Sequence, residues 1–346
     1  MAFRQEMLEE TQELEVEVTI HLVDKAYNKE RMAPRGLRLM FLASTARGHR
    51  GRGGHEVAMF TVFGATGHTG AVVAKTLLNQ GKKVRVAVRD PAKVKAFADL
   101  GAEVVKVDLL DPKSVEAALA GAEGAYLLVP PDPASNDLVG RGRTIVDAFA
   151  HGLQSARVGH AVFLSSVGAQ VSSGTGPIVI THIAEKALGA LPGTVLTFVR
   201  AAYFMENLLG YEHPMRTDGV LPAFGGGETY PFPMVATADI GAVAAMALLA
   251  PPAANEVIEL EGPEARSLTD AAAVASKALG RSVVAKALPL DAVVSALSAV
   301  GYSANTAGLY REMLASFGTG TTKFEGVGRH VRGTVRLEDV LGPALA

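Results

Sequence analysis

Three glycines recur at three-residue intervals in the segment FGATGHTG, residues 63–70. Gly64 would permit a tight turn, Gly67 would let the backbone approach a pyrophosphate, and Gly70 would let a helix pack closely on a strand. The apolar run MFTVF precedes the loop and a segment of helical period follows it, so the helix start would offer N–H groups to an anion. The pattern predicts a dinucleotide site made by Gly64, Ala65, Thr66, Gly67, His68, Thr69 and Gly70.

The residues after the second apolar strand indicate which dinucleotide would bind. An NAD site usually has an acidic residue there, which binds the ribose 2′-hydroxyl. This chain has Arg89 instead, and Lys93 follows one helical turn later. A guanidinium matches a 2′-phosphate in geometry and charge, whereas Asp90 stands before Pro91 as a helix N-cap. The pattern favours NADP over NAD, and the alternative for Arg89 is a solvated surface cation.

The ends of the next three strands supply further candidates for cofactor contacts. Asp108 could bind the adenine amino group or serve only as a turn residue. A serine hydroxyl at the end of the fifth strand, HAVFLSS (residues 160–166), could reach the nicotinamide or a substrate carbonyl, although serine also ends strands for turn reasons. These candidates are Asp108, Leu109, Val129, Pro130, Ser165 and Ser166.

A histidine and a lysine occupy the place where proton transfer would be expected. Short-chain dehydrogenases use a tyrosine followed four residues later by a lysine, and none of the seven tyrosines here has that partner. The segment THIAEKAL places His182 and Lys186 at the same spacing, one helical turn apart. Because histidine transfers protons near neutral pH, this pair is the candidate catalytic site. The alternative is that His182 packs or caps while Lys186 steadies the nicotinamide ribose; Glu185 is expected to be structural.

Composition excludes several other chemistries. The chain has 346 residues, no cysteine and a net charge of −2, so disulfides and thiolate chemistry are excluded and no nucleic-acid partner is indicated. No apolar run reaches the roughly 18 to 20 residues that span a bilayer. Neither a Gly-x-Ser-x-Gly frame nor a His-Glu-x-x-His spacing occurs, so no metal is predicted. We expect a cytoplasmic monomer or homodimer acting on a small-molecule acceptor.

The order of predicted elements indicates the fold. From residue 59 to residue 200, short apolar strands alternate with helices of about ten residues, which is typical of an α/β protein with a doubly wound parallel sheet. Residues 201–346 are expected to form a smaller α/β lobe over the carboxyl ends of that sheet, with a crossing back to the sheet left open. The stretch Gly219–Tyr230 is rich in glycine and proline, and the segment AFGGGETYPFP, residues 223–233, predicts an exposed loop.

Residues 1–58 differ from the rest in charge pattern. An acidic start, EMLEETQELEVEVTI, gives way to a basic end, RGLRLMFLASTARGHRGRGGH. A targeting or nucleic-acid-binding arm is one interpretation of the basic end, but the acidic start does not suit a transit peptide. We expect a poorly ordered extension upstream of the folded enzyme.

Taken together, these segments resemble the NmrA-like family of atypical short-chain dehydrogenases. The resemblance covers residues 59–345, and its more specific phrases are VAVRDPAK and the FMEN within TVLTFVRAAYFMENL. It implies a Rossmann-type domain that carries NADP at the glycine loop, Arg89 and Lys93. It also implies a substrate cleft between the lobes, near Phe204–Asn207 and residues 221–233.

Two functions follow from that resemblance. The family includes NAD(P)H-dependent quinone reductases and azo or triphenylmethane dye reductases. An NADPH-dependent oxidoreductase that passes a hydride to a quinone-like or conjugated aromatic acceptor is therefore the first hypothesis. The family also includes non-catalytic redox sensors, so the alternative is a protein that binds NADP(H) to regulate partners.

Overall fold

Eight strands form the central sheet, and every pairing within it is parallel. The computed structural model describes residues 58–346. Its strands are β1 (Met59–Phe63), β2 (Lys83–Val88), β3 (Glu103–Lys106), β4 (Ala122–Leu127), β5 (His160–Ser166), β6 (Val195–Ala201), β7 (Tyr203–Phe204), β8 (Val220–Phe224), β9 (Phe232–Val235), β10 (Glu256–Glu261), β11 (Ala265–Arg266), β12 (Val284–Leu288) and β13 (Arg329–Arg332). Its α-helices are α1 (His68–Asn79), α2 (Lys95–Asp99), α3 (Pro112–Leu119), α4 (Leu138–Ser155), α5 (Val179–Gly189), α6 (Glu212–Thr217), α7 (Thr237–Leu249), α8 (Leu268–Leu279), α9 (Ala292–Ala299), α10 (Ala304–Gly318) and α11 (Leu337–Leu345).

The strand order across the sheet is β3-β2-β1-β4-β5-β6-β10-β13. The chain winds outward from β1 through β2 and β3, then returns to the other side of β1 and winds outward through β4, β5 and β6. The predicted doubly wound parallel sheet of the Rossmann type is thereby confirmed. Open sheets of this kind bind ligands beyond the carboxyl ends of their strands, where the winding direction reverses. Here that point lies between β1 and β4.

Each face of the sheet is covered by helices, which gives two separate cores. Helices α1 and α7 contribute Leu77 and Ile240 to the first core, where Val62 of β1 is fully buried. Helices α4 and α5 contribute Phe149 and Leu188 to the second core. Burial on both faces explains why the central strands are almost continuously apolar.

The chain beyond residue 200 divides its elements between the main sheet and smaller layers. Strands β7, β9 and β11 form a three-stranded sheet and β8 pairs with β12, and a third core lies among these elements, α8 and α11. Strands β10 and β13 instead extend the main sheet. Helix α7 packs on α1 so closely that a Cβ on Gly241 would overlap Val72. The chain thus crosses back to the sheet, and the boundary placed at residue 200 stays a prediction.

Two local predictions are wrong in detail. The loop expected over residues 223–233 includes the end of β8, which pairs in parallel with β12, and the start of β9, which pairs with β7 and β11. These distant pairings override the local composition. The helix expected after Asp90 begins as a 3-10 helix, Pro91–Val94, before α2 continues it. The predictions made for residues 1–57 lie outside the described residues. Within residues 58–346, no helix has the length and apolar character that a membrane crossing requires.

Candidate active site

The glycine loop, residues 64–70, connects β1 to α1 at the carboxyl edge of the sheet. Gly64 has a φ of +70°, which other residues rarely adopt, and Gly67 N donates to Gly64 O over 2.9 Å. A Cβ on Gly70 would overlap Gly64 O, so α1 packs directly on the turn. A Cβ on Gly67 would meet only Gly64 O, at 3.5 Å, so the space over Gly67 is otherwise open. The three glycines therefore occupy the geometry expected of them.

Helix α1 starts without a side-chain cap, because its N-cap residue is Gly67, and no acidic residue lies in its first turn. Its N-terminal N–H groups and partial positive charge are therefore directed at whatever occupies the loop. The loop is anchored from below, since Ala65 is fully buried and Thr69 Oγ1 accepts a hydrogen bond of 2.9 Å from Tyr126 Oη. A pyrophosphate would fit this cradle of backbone donors.

Arg89 follows β2 at the same edge and is exposed. Strands β1 and β2 run side by side with Phe63 opposite Ala87, so Arg89 lies beside the start of the glycine loop. Asp90 Oδ1 accepts from Ala92 N over 3.1 Å, which confirms that Asp90 is a helix N-cap. An exposed guanidinium at this position suits a 2′-phosphate, and the roles given to Arg89 and Lys93 stay predictions.

The residues after β3 lie further along this edge. Asp108 Oδ1 accepts from Leu110 N over 2.9 Å, and Asp108 N donates to Ser114 Oγ over 2.9 Å. Asp108 therefore has the turn role that the sequence offered as one alternative. Leu109 is half-buried and packs against the second core. Contact of Asp108 and Leu109 with adenine stays a prediction.

The end of β4 lies against the glycine loop. A Cβ on Gly64 would stand 2.6 Å from Leu128 Cδ2, so the side chain of Leu128 covers the turn. Val129 and Pro130 follow and are half-buried. The structure thus brings the residues that follow β1, β2, β3 and β4 to one edge of the sheet.

A buried ion-pair network lies below the ends of β5 and β6. Arg200 Nε and Nη2 donate to the two carboxylate oxygens of Glu185 over 2.9 and 2.7 Å, and Nη1 donates to Glu325 Oε2 over 2.6 Å. Burial lowers the pKa of Arg200, but the hydrogen bonds and charges of Glu185 and Glu325 outweigh burial and raise that pKa overall. Ser165 Oγ donates to Glu185 Oε1 over 2.6 Å, and Ser166 Oγ to Val167 O over 3.0 Å. Glu185 has a structural role, and both serine hydroxyls have protein partners.

The predicted catalytic pair lines a pocket of about 280 Å³, here called the His182 pocket. His182, Glu185 and Lys186 of α5 face Arg200, Glu256 and Glu325 across it. His182 Nδ1 lies 2.8 Å from the carbonyl oxygen of Ala169. A carbonyl only accepts, so Nδ1 carries the hydrogen, and in the neutral ring Nε2 is left as an acceptor.

The His182 pocket and the glycine loop do not form one cavity. None of the residues that line the pocket belongs to the glycine loop, and neither Arg89 nor Val129 is among them. The structure therefore does not bring the predicted catalytic pair into one pocket with the predicted cofactor contacts. Catalysis by His182 and Lys186 stays a prediction.

Glu206, in the FMEN phrase, has a role that local sequence patterns did not indicate. Thr237 N and Oγ1 donate to Glu206 Oε1 over 2.9 and 2.6 Å, so the carboxylate caps α7. Burial raises the pKa of Glu206, and the hydrogen bonds from Thr237 and the charge of His68 oppose that effect only in part. His68 of the glycine loop is therefore within electrostatic reach of Glu206. Since Glu206 and Thr237 are 31 positions apart, no periodic signal could have paired them.

A second group of residues was also missed. Tyr203, Tyr211, Tyr302 and Tyr310, here called the tyrosine cluster, come together from β7, a 3-10 helix, the α9–α10 turn and α10. None of these four tyrosines has a lysine four residues later, so the short-chain dehydrogenase pattern does not single them out. Only their tertiary contacts identify them as a group.

The reversal of the sheet at β1, together with an uncapped glycine loop at that point, defines an α/β fold of the dinucleotide-binding type. The chain belongs to the NmrA-like family, whose model matches residues 57–329. The resemblance inferred from the sequence is thereby confirmed.

Relatives of known description cover most of the chain. An NAD(P)H azoreductase from Xenophilus azovorans is 30% identical over 261 residues, which are 74% of this chain and 86% of that protein. Quinone oxidoreductase 2 from Escherichia coli is 28% identical over 274 residues, which are 77% of this chain and 88% of that protein. A solved structure of an Escherichia coli NADPH-dependent quinone oxidoreductase with NADPH superimposes with a TM-score of 0.69 at 24% identity, covering 83% of this chain and 100% of that one. At this identity the structural likeness shows the fold.

Proposed function

We propose that this protein is an NADPH-dependent oxidoreductase whose acceptor is a quinone or another conjugated aromatic molecule. The chain is an NAD(P)H-dependent oxidoreductase by its family and by its likeness to the azoreductase and the quinone oxidoreductase. The observation that carries the proposal is the glycine loop, in which an uncapped helix start, an open Gly67 and a tightly packed Gly70 make a cradle for a pyrophosphate.

The residues at the carboxyl edge fit NADPH in chemistry. The glycine loop would hold the pyrophosphate through backbone N–H groups. Arg89 would hold the 2′-phosphate, because a guanidinium is a bidentate donor to such a group. Val129 and Pro130 would lie along the cofactor as it crosses the end of β4. Bound NADPH supplies a hydride to the acceptor.

A quinone-like acceptor is proposed because its reduction does not require a proton donor from the protein. A quinone takes up one hydride and one proton to give a hydroquinone, and water can supply the proton. The protein then needs only to hold the acceptor against the nicotinamide, which by itself lowers the barrier substantially. An isolated ketone would need a positioned proton donor, and that reaction would point to His182.

One observation favours a second candidate, a dinucleotide sensor without turnover. The Ser165 hydroxyl is bound to Glu185, and His182 Nδ1 is bound to the Ala169 carbonyl. Two groups that could serve chemistry are thus engaged within the protein. In a sensor, the cofactor site would be intact and these two groups would have only structural roles.

Purified protein mixed with NADPH and a panel of quinones and azo dyes tests the proposal. We expect saturable loss of NADPH absorbance with at least one quinone, and slower loss when NADH replaces NADPH. A parallel titration of NADPH fluorescence measures binding without turnover. Tight NADPH binding combined with no turnover on any acceptor would overturn the reductase and support the sensor.

A further inference from the structure

Ring contacts and electrostatic effects link the members of the tyrosine cluster. Tyr302 and Tyr310 make an edge-to-face contact with centroids 5.5 Å apart, and Tyr203 makes the same kind of contact with Phe232, also at 5.5 Å. The hydroxyls of Tyr211 and Tyr310 contribute to the raised pKa of Tyr203, after burial as the larger cause. Three of the phenols are therefore within electrostatic reach of one another.

Within residues 58–346, the four hydroxyls of this cluster have no hydrogen-bond partner. Among the described residues, no hydrogen bond involves Oη of Tyr203, Tyr211, Tyr302 or Tyr310, whereas the Tyr126 hydroxyl has one. None of the four is a fully buried oxygen, so each reaches solvent-accessible space although its ring is half-buried. Polar groups that are partly desolvated normally find a partner. These four hydroxyls are therefore available to donate hydrogen bonds to a ligand with oxygen acceptors.

The backbone connections bring the cluster to the carboxyl edge of the sheet. Tyr203 follows β6 after a single intervening residue. Tyr302 precedes α10, and the start of α10 is tied to the loop after β4: Ser303 N donates to Pro133 O over 2.9 Å and Thr306 Oγ1 to Ser135 O over 3.0 Å. The cluster therefore links the carboxyl ends of β4 and β6, which lie on either side of β5 in the sheet. This is the part of the edge where the bound cofactor would end.

Helix α10 is held firmly in that position from a second side. Gly176 packs so closely on α10 that a Cβ there would overlap Leu309 O, and Gly176 N donates to Glu312 Oε1 over 3.2 Å. Two independent anchors, at residues 133–138 and at Gly176, thus fix the helix that carries Tyr310. A site on a helix held in this way is preorganised.

We propose that the tyrosine cluster is the acceptor subsite, in which aromatic rings stack on a planar acceptor and phenol hydroxyls donate hydrogen bonds to its carbonyl oxygens. The inference rests on the proposed function and extends it, since it names the residues that select the acceptor. Planar π-systems pack well against tyrosine faces and edges. An acceptor without a ring or without carbonyl oxygens would use only part of the subsite.

The protonation state of the cluster suits a donor. Burial raises the pKa of Tyr310 to about 12, with smaller contributions from Tyr302 and Tyr211. Burial likewise raises the pKa of Tyr302 and of Tyr211. These phenols stay neutral at physiological pH, so they donate hydrogen bonds and carry no charge that would repel a reduced oxygen.

Tyr302→Phe and Tyr310→Phe test the subsite because each removes one hydroxyl and keeps the ring. We expect each to raise the KM for menadione roughly 5- to 10-fold, as loss of one hydrogen bond predicts, with kcat within about 2-fold. The double variant should show a larger rise in KM than either single variant. The Kd for NADPH should not change. Ser295→Ala removes a hydroxyl from the neighbouring helix α9 and should leave the KM for menadione unchanged.

A binding assay separates this inference from the proposed function. The chain has seven tyrosines and no tryptophan, so menadione bound in the cluster should quench the protein's tyrosine fluorescence saturably. If the wild type turns over no quinone but shows this quenching, and the double variant loses it, the subsite stands and the reductase fails. If the wild type turns over menadione while both single variants and the double variant keep its KM and its quenching, the subsite is overturned and the reductase stands.

Discussion

The dinucleotide edge is built mainly from backbone, whereas the His182 pocket is built from charged side chains. At the edge, the decisive groups are the N–H donors of α1 and the missing side chains of Gly64, Gly67 and Gly70. In the pocket, the decisive groups are Arg200 and the carboxylates around it. A backbone site depends on local conformation, while a side-chain network depends on partners brought from distant strands. The fold of the first therefore depends most on its glycines, and that of the second depends on charge.

Arg200→Met breaks the pocket side of this comparison and should have the largest effect. Arg200 and Glu185 are 6% and 12% exposed, and removing one partner of a buried pair costs about 3–5 kcal/mol because the other charge is left uncompensated. We expect a loss of about 3 kcal/mol in the free energy of unfolding, measured by urea titration. The exposed pair Lys95–Asp99 is 81% and 64% exposed, so Lys95→Met is the control and should change nothing measurable. Equal effects of the two variants would contradict the importance given to burial.

Gly70→Ala tests the backbone side. The added Cβ would overlap Gly64 O, while Gly67→Ala would make only a contact of 3.5 Å. We expect Gly70→Ala to cost about 2 kcal/mol of folding stability and to raise the Kd for NADPH at least about 10-fold. Gly67→Ala is the matched variant and should leave the thermal unfolding temperature near that of the wild type. A Gly70→Ala protein with unchanged stability would refute the close packing of α1 on the turn.

Arg89→Asp sharpens the description of the edge by testing one of its two predicted cationic contacts, the other being Lys93. Loss of a charge-assisted hydrogen bond to the 2′-phosphate, together with a new repulsion, should lower the preference for NADPH over NADH roughly 30-fold. The measurement is the ratio of kcat/KM for the two cofactors, or of their Kd values if turnover is absent. Lys83→Asp makes the same charge change at the amino end of β2 and should leave the ratio as it is. An unaltered ratio in Arg89→Asp would remove Arg89 from the site.

Glu206→Gln tests the carboxylate that caps α7 within electrostatic reach of His68, and it should have the smallest effect, seen only as pH dependence. Burial raises the pKa of Glu206 in the folded state, so between its unfolded and folded pKa values the native protein holds a proton that the unfolded chain has released. Wild-type stability should therefore fall as pH rises through that window. The variant lacks this titration, so the stability difference between variant and wild type should grow as pH rises above the unfolded pKa of a glutamate, about 4.3. A difference that stays constant with pH would show that Glu206 is not perturbed.

Helix caps and hydrophobic periodicity predicted the elements of residues 59–200 well, because these patterns are local in sequence. Asp111 followed by Pro112 predicts a helix start, and Asp111 Oδ1 indeed accepts from Lys113 N over 3.0 Å. The strand His160–Ser166 was predicted with the bounds that the structure gives. These elements follow from periodicity and caps within a dozen residues.

The acceptor half could not be predicted in the same way, because its contacts join distant segments. Glu206 caps α7 across 31 positions. Tyr203 and Tyr310 belong to different elements and share no pattern that a single sequence displays. The strand Val220–Phe224 was hidden in a stretch rich in glycine and proline, since its pairing with β12 is what makes it a strand.

The main sheet contains strands from distant parts of the sequence, which has a consequence for the chain during translation. Strand β6 is buried at six of its seven positions, yet its outer neighbour β10 comes from residues 256–261 and the last strand, β13, from residues 329–332. During synthesis, the outer edge of β6 would therefore keep unpaired backbone groups until residues 256–261 have been made. Such an edge can pair with a strand from another chain. We expect this interval of translation, more than the finished fold, to be when the protein is most exposed to aggregation and most dependent on chaperones.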